Sequence, residues 1–415
     1  MLLVNILPLI LILVLLFKRK HMLFAGLCGG ALAIIIGRIS IGSVSGIFIK
    51  GVSSMLGITV PILYAATAAM VARGGSIQSL VELAKRGLKG KISILAGIMV
   101  LIQAFATYMA GMGAGNTMVT APLIATAFGA IPEIIAAMAI ATAVGFTTSP
   151  ASTETALAAE SAGREIIAHA AAMRPLTIVF FLLAAGLAIY GVYKRGALTV
   201  NKKAVVKEEQ EKTSLLWKKA IPALALLIMV IAGSRINSLI GITIFTPVTA
   251  VIFTSILTVI FTPLNTNDTS EALVDGSKFI LTTLFSVGIF LGFINIIAEL
   301  GTFEQLAAIA GNAPQTIIVP VAMIIAFLIA IPAGAFCAGV LTLVLPTLAV
   351  LGLPSEAMGL VAIAAGLGTQ VSPVQINVAA LAKGFELEII DVIKGNVKYI
   401  LGSLVLLILI SIVII

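Results

Sequence analysis

Runs of apolar residues, separated by short polar or charged breaks, follow one another from the beginning of the chain to its end. Many reach roughly twenty residues, the length that an α-helix needs to cross about 30 Å of hydrocarbon. The longest polar stretch, Lys194 to Lys219, carries charges of both signs and few apolar residues, which is typical of a connecting loop. The pattern therefore predicts an all-α polytopic membrane protein with a loop near its midpoint.

The two halves of the chain present the same order of elements. Each begins with three apolar spans and continues with a short amphipathic stretch whose i, i+3, i+4, i+7 pattern is typical of a helix on the membrane surface. A Gly-rich apolar segment, a segment broken at Ser-Pro and a closing span complete each half. In the first half the three spans, the amphipathic stretch and the closing span are 2–17, 22–39, 52–72, 74–87 and 175–193; in the second half they are 219–234, 239–262, 279–298, 300–313 and 398–415.

An internal repeat accounts for this shared order. Pro122 aligns with Pro346, Pro132 with Pro354, and the pair Ser149-Pro150 with Ser372-Pro373, at separations of 222 to 224 residues. If each Gly-rich segment is a re-entrant hairpin, each half crosses the membrane five times, and an odd number inverts the second half, as in many secondary transporters. If each Gly-rich segment instead made two full crossings, each half would cross the membrane seven times. The charge distribution fits both models, and the short arms and polar turn of the segment favour the hairpin. The predicted boundaries are 1–195 for the first inverted repeat, 196–217 for a cytoplasmic linker and 218–415 for the second repeat.

The charges predict an orientation. If the loops are assigned in order, 20 of the 25 Lys and Arg residues fall on one side, and the other five are Arg38, Lys50, Arg164, Arg174 and Arg235. This bias satisfies the positive-inside rule, so the net charge of +8 encodes topology and does not indicate a nucleic-acid surface. We expect a multi-pass protein of the cytoplasmic (inner) membrane with both termini outside. The first apolar run has no charged segment before it, which favours a retained helix over a signal peptide.

Composition excludes several other classes of protein. The 415 residues are 60% hydrophobic and 10% charged, with a mean hydropathy of +1.20, so no soluble domain is expected. Cys28 and Cys337 lack metal-site spacing, and His21 and His169 lie in predicted loops. No paired intramembrane aspartates, HExxH motif, Ser-Lys or Ser-His dyad, or phosphate-binding loop is found, so neither an enzyme nor an ATP-driven pump is predicted. An oligomeric channel is disfavoured because the repeat lies within one chain.

The broken segments are the predicted binding site. Pro150 and Pro373 each remove a backbone donor, and unwound chain at membrane depth persists only where it lines a cavity or is packed in protein. Freed backbone groups and side-chain oxygens can then bind cations and anions, although such Ser and Thr residues also serve in helix packing. The candidates in and beside the two breaks are Thr147, Thr148, Ser149, Pro150, Ser152, Thr153, Thr369, Gln370, Ser372, Pro373, Gln375 and Asn377.

In the order of its spans, amphipathic helices, Gly-rich hairpins and broken segments, the chain resembles the ion transporter superfamily. This group includes divalent anion:sodium symporters, citrate transporters and C4-dicarboxylate carriers. The resemblance covers essentially the whole chain and implies a homodimer of fixed scaffold domains and an elevator-like transport domain. It also implies substrate and ion ligands at the hairpin tips. At the first tip these are Gly113, Gly115, Asn116 and Thr117; the second tip, with Gly334, Cys337 and Gly339, lacks the family's Ser-Asn-Thr signature and offers backbone groups.

The predicted function is transport of a small organic anion, a carboxylate as the resemblance implies, coupled to sodium or protons. No cofactor is expected, and Na⁺ is a candidate coupling ion. The alternative is a cation/proton antiporter, because Glu154 follows the first break and an acid in a membrane helix is a functional candidate; facing water is the other interpretation of Glu154. Glu133 and Glu356 are interpreted as helix-start residues. Gln103, Thr107 and Tyr108, on the first hairpin arm, fit either the site or hairpin packing.

Overall fold

The computed structural model describes residues 2–56, 59–87, 92–111, 113–195 and 212–415, and the regular elements there are helical. Most of the predicted linker and Met112 of the first hairpin turn lie outside these ranges. The first half comprises α1 (Leu2–Asn5), α2 (Leu7–Phe17), α3 (Met22–Gly37), α4 (Ile41–Leu56), α5 (Thr59–Arg73), α6 (Ser76–Gly87), α7 (Ile92–Ala110), α8 (Ala114–Phe128), α9 (Pro132–Thr148), α10 (Thr153–Ser161) and α11 (Ile166–Arg195).

The second half repeats this order with fewer interruptions. It comprises α12 (Thr213–Ile240), α13 (Pro247–Phe261), α14 (Thr266–Ala298), α15 (Thr302–Ala308) with a 3₁₀ turn at Ile309–Asn312, α16 (Ile318–Ala333), α17 (Cys337–Ala349), α18 (Ser355–Thr369), α19 (Ile376–Gly384) and α20 (Ile389–Ile414). The pair α4 and α5 stands where α14 stands in the second half. Both predicted amphipathic stretches are helical, and Ile77, Phe303, Ala307 and Ala310 point into the protein.

Several helices extend beyond the apolar runs that predicted them. Helix α14 begins at Thr266, not near 279, because Asn265 caps it by accepting a hydrogen bond from the Asp268 N–H at 2.9 Å. Helix α12 begins at Thr213, inside the predicted linker. The loop assignment of His169 is wrong, since this residue lies in α11 and is fully buried. A helix can continue through polar residues that lie beyond its apolar run. The length of an apolar run therefore underestimates the length of the helix.

Three helices in the described part of the chain are long and apolar enough to cross a membrane: α11, α14 and α20, with 30, 33 and 26 residues. Helices α9 and α10 make a fourth such span if they are counted together, and they are bent by 52° at the break between them. The shorter apolar helices have 10–17 residues in their described apolar portions, fewer than the roughly twenty needed for a perpendicular crossing. The chain is a multi-pass helical membrane protein.

Two groups of helices share the interior. In one group, α9 packs against α7, α11, α18 and α20, and α16 packs on α18; in the other, α14 packs against α3, α4 and α5. Helices α9 and α18 are buried along nearly their whole lengths. Their Ala- and Gly-rich sequences permit this, because small residues let helix backbones approach closely without voids.

Equivalent residues of the two halves contact opposite ends of the same helix. Glu133, at the start of α9, pairs with Arg195 at the end of α11, with an Nε–Oε2 distance of 2.7 Å. Glu356, at the start of α18, pairs at 2.7 Å with Arg164, which lies two residues before the start of α11. A helix of 30 residues spans about 45 Å. Helices α9 and α18 therefore begin at opposite ends of the helical bundle.

Candidate functional site

The first hairpin tip lies against the first helix break. Gly111 and Gly113 lie between α7 and α8, and Gly111 has a φ of +67°, a conformation that favours glycine. A Cβ atom at Gly111 would overlap with the carbonyl oxygen of Ala151, and one at Gly113 would overlap with the Thr142 side chain. Glycine is thus required at this tip by conformation at one position and by close packing at both.

The first break is stabilised by its own serines. Between the end of α9 and the start of α10, Ser149 Oγ accepts a hydrogen bond from the Ala151 N–H at 3.0 Å and donates one to the carbonyl of Tyr108. Ser152 caps α10 by accepting from the Thr155 N–H at 3.0 Å. The hydroxyl of Ser149 therefore fastens the break to the first hairpin arm, a role that Ser-Pro alone does not reveal.

The second break is stabilised by hydrogen bonds between residues that are close in sequence. Helix α18 ends at Thr369 and α19 begins at Ile376. Ser372 Oγ accepts from the Val374 N–H, and Gln375 Oε1 accepts from the Asn377 N–H, both at 3.4 Å. Gln375 and Asn377 are buried, so the second break places two amide side chains inside the protein.

A hydrogen-bonded network joins the first hairpin tip to the second break. Thr117 Oγ1 donates to Asn377 Oδ1 at 2.6 Å, and Asn377 Nδ2 donates to Gln370 Oε1 at 2.7 Å. The Gln103 amide nitrogen lies 3.4 Å from Thr117 Oγ1 and also donates to Thr142. All five side chains are buried. We call the contact between Thr117, Asn377 and Gln370 the first junction.

The second hairpin tip meets the first break in the reciprocal way. Helix α10 packs along α17, and Glu154 is only 6% exposed. The Glu154 carboxylate lies near its own backbone N–H and near the backbone N–H of Ala338, at the start of α17. Cys337 beside it is buried. We call the contact of Glu154 with Cys337 and Ala338 the second junction.

Some of the predicted site residues lie away from the junctions. Thr153 and Pro150 are exposed. Thr147 and Thr148 donate to carbonyls of their own helix, Ala143 and Val144, each at 2.7 Å, as buried Thr residues in helices commonly do. The remaining candidates are placed as follows: Gly115 and Asn116 are buried in α8, Gly334 lies beside Thr369, whose hydroxyl donates to the Gly366 carbonyl, and the position of a Cβ at Gly339 is 3.9 Å from Leu291 of α14.

The structure adds Thr142 to the site. This residue stands in a run of Ala and Ile in α9, and a single Thr in such a run gives no signal by itself. Gln103 was a candidate for either the site or hairpin packing, and the structure connects it to both: it lies on α7 and contacts Thr117 of the tip and Thr142. Its Oε1 atom is buried without a hydrogen-bond partner among the described residues, which leaves an acceptor at the edge of the network.

A cavity of about 510 Å³ reaches the second break from one end of the bundle. Its walls come from both helix groups, with Met22 of α3 and Ser286 of α14 on one side and Pro373 and Gln375 of the break on the other. Lys383, Glu386 and Glu388 lie at its polar end. A small polar solute in this cavity would lie beside Gln375, two residues from Asn377.

The Gly111 tip is expected to tolerate no side chain. Gly111→Ala adds both the strain of a positive φ and an overlap with Ala151, so we expect it to lower the free energy of unfolding by about 2–4 kcal/mol. Gly163→Ala is the matched control, because Gly163 has a φ of +63° with no atom within 4 Å of the added Cβ, and about 1 kcal/mol is expected. Denaturant unfolding in mild detergent compares the two. Equal losses of unfolding free energy in the two variants would show that close packing of the tip against the break does not add to the cost.

No protein-family model matches the chain, and none of the curated proteins matches it. Among solved structures, the chain is similar to the crystal structure of the YdaH transporter of Alcanivorax borkumensis. The sequence identity is 17%, the match covers 88% of this chain and 86% of that chain, and the TM-score is 0.43. This level of similarity does not establish a shared fold, so the function has to be inferred from the residues of this chain.

Proposed function

We propose that the protein is an ion-coupled secondary active transporter of a small organic anion, a carboxylate, working by elevator-type alternating access. The observation that carries the proposal is the reciprocal arrangement of tips and breaks. The first hairpin tip meets the second break at Thr117 and Asn377, and α10, which follows the first break, packs on α17 of the second hairpin. Two unwound segments that meet two hairpin tips inside a membrane protein are typical of a transported-solute site.

Inverted repeats, 1–195 and 218–415 with a linker at 196–217, fit the contacts at the two ends of the bundle. The equivalent glutamates Glu133 and Glu356 pair at opposite ends of α11. The two short helices α6 and α15 make reciprocal contacts with the other half: Arg86 donates to Thr213 at the start of α12, and Gln305 accepts from Asn5 in α1. Reciprocal contacts of this kind fit two repeats related by a two-fold axis.

The chemistry of the first junction suits a carboxylate with a coupling sodium ion. The amide and hydroxyl groups of Gln103, Thr117 and Asn377 offer donors to carboxylate oxygens, and their oxygens are the hard ligands that sodium prefers. Backbone carbonyls freed at Pro150 and Pro373 add further ligands. A neutral site of this kind needs a co-bound cation to offset the charge of the substrate, since burying an unpaired charge is costly.

The cavity supports a moving transport domain. It lies between α3 and α14 on one side and the second break on the other, that is, between the helix group proposed as scaffold and the group that carries tips and breaks. Its polar end contains Lys383, on the side that the charge bias predicts to be cytoplasmic. We therefore propose that the cavity in this conformation opens toward the cytoplasm. The charge bias and the resemblance support the further proposal of an inner-membrane homodimer with both termini outside.

A cation/proton antiporter is the second candidate, and Glu154 favours it. The residue is a buried acid directly after the first break, and among the described residues no ion pair involves it. Intramembrane acids of this kind frequently carry protons in transporters.

Reconstituted transport tests both candidates. Purified protein in liposomes is offered labelled mono-, di- and tricarboxylates under a sodium gradient alone and under a proton gradient alone, with protein-free liposomes as control. Uptake of at least one carboxylate, accelerated by one of the gradients, is expected. If no carboxylate moves while a sodium gradient drives proton exchange, the antiporter is the correct function.

A further inference from the structure

Glu154 and Asn377 occupy equivalent positions in the two repeats. Each follows the proline of its break by four residues, after Pro150 or Pro373. Each is buried, with 6% and 3% of its surface exposed. Each also interacts with the hairpin tip of the other repeat, Asn377 through Thr117 and Glu154 through the Ala338 N–H. The two junctions are thus built on one plan, with an amide in one and a carboxylate in the other.

The two tips differ in what they offer to a ligand. The first tip carries the amide of Asn116 and the hydroxyl of Thr117, whereas the sequence at the second tip is Cys337-Ala338-Gly339, which leaves backbone N–H groups as its main donors. These N–H groups stand at the beginning of α17, a helix of 13 residues, whose dipole favours a negative charge there. In this structure the carboxylate near this end of α17 is that of Glu154.

The surroundings of Glu154 offer hydrogen-bond donors to its carboxylate. The thiol of Cys337 lies near the Glu154 carboxylate. The ion pairs of the described residues join other acids to Arg and Lys. A buried carboxylate with no basic partner is stabilised where backbone N–H groups and a helix dipole face it. Two helix starts near Glu154 supply both: the start of α10, whose first turn contains Glu154, and the start of α17.

We infer that Glu154 is a specificity-determining residue that fills the second tip with a built-in carboxylate, so that the transported anion carries a single carboxylate bound at the first junction. The inference rests on the proposed function. A second substrate carboxylate directed at the second tip meets a like charge at short range, which disfavours binding. The equivalent amide, Asn377, creates no such exclusion at the first junction.

The test compares acids that differ only in a second carboxylate. Labelled propionate and malonate, butyrate and succinate, and valerate and glutarate are offered to wild-type protein in liposomes at a pH where all carboxyl groups are ionised. At least one monocarboxylate is expected to be taken up about 10-fold or more faster than its dicarboxylate partner. Glu154→Asn, which copies the residue of the first junction, is expected to reduce this ratio about 10-fold, and Glu154→Asp is expected to preserve it.

Glu160→Gln is the matched control, because Glu160 lies on the same helix and is exposed; its ratio should equal that of the wild type. Faster wild-type uptake of a dicarboxylate than of its partner would overturn the inference while leaving the proposed transporter intact. An unchanged ratio in an active Glu154→Asn protein would overturn it as well. If Glu154→Asn does not fold, the wild-type ratio decides. If none of the six acids moves but other carboxylates do, Glu154 does not select monocarboxylates; if no carboxylate moves at all, the proposed function itself fails.

Discussion

Replacement of Asn377 with Ala is expected to reduce carboxylate uptake about 100-fold. The side chain connects the first tip to the second break, since it accepts from Thr117 at 2.6 Å and donates to Gln370 at 2.7 Å. Its removal leaves two buried polar partners, each costing about 1–3 kcal/mol, and roughly 2.7 kcal/mol corresponds to a factor of 100 in rate. Initial uptake rates in liposomes measure the effect, with protein content and orientation matched between samples.

Asn396→Ala provides the control for this prediction. Asn396, on α20, is also fully buried, but neither atom of its amide has a hydrogen-bond partner among the described residues. Its replacement therefore leaves no known partner unsatisfied, and uptake within about threefold of wild type is expected. A similar loss of uptake in both variants would attribute the effect to folding. Normal uptake by Asn377→Ala would remove the first junction from the transport site.

Replacement of Arg195 with Met is expected to lower the free energy of unfolding by about 3 kcal/mol. Glu133 is almost completely buried, with 1% of its side chain exposed. Arg195 donates to both its carboxylate oxygens, at 2.7 and 3.1 Å, and Tyr399 donates at 2.9 Å. Without the guanidinium, a buried carboxylate keeps only the Tyr399 hydroxyl, and breaking such a pair typically costs about 3–5 kcal/mol. Denaturant unfolding in mild detergent measures the loss.

The pair at the equivalent position in the other half of the chain is the control. Arg164 and Glu356 have 34% and 35% of their side chains exposed, so Arg164→Met should cost no more than about 1 kcal/mol. Equal losses in the two variants would show that burial of Glu133 does not govern its contribution. The contrast also tests the interpretation of both glutamates as helix-start residues, because Glu133 fastens α9 to α11 and α20 as well.

The order of the helices follows from local patterns. Apolar runs, the Gly-rich turns and the two Ser-Pro pairs predicted the helices, hairpin turns and breaks that the structure contains. The ends were predicted less well: α14 begins 13 residues before its apolar span at 279, as its start at Thr266 shows, and His169 is helical. Capping and packing decide where a helix ends, whereas hydropathy reports only the portion that prefers hydrocarbon.

The site was less accessible to prediction than the helices. Sequence patterns selected Thr117, Asn377 and Gln370 as separate candidates but not their connection, which joins residues 260 positions apart for Thr117 and Asn377. They also did not show that Ser149 bonds to Tyr108, that Thr153 is exposed, or that Thr142 belongs to the network. Side-chain direction at a helix break depends on the bend, and a bend of 52° is set by neighbouring helices.

By itself the sequence determined a multi-pass helical protein with two similar halves, because apolar run length, proline and glycine act through the chain's own backbone. It also identified Glu154 as an unusual acid. Only the tertiary structure decided that Glu154 and Asn377 occupy equivalent places, each buried beside the hairpin of the other half. The physical reason is that hydrogen bonds and charges act over a few ångströms in space, and the fold alone determines which distant residues come that close.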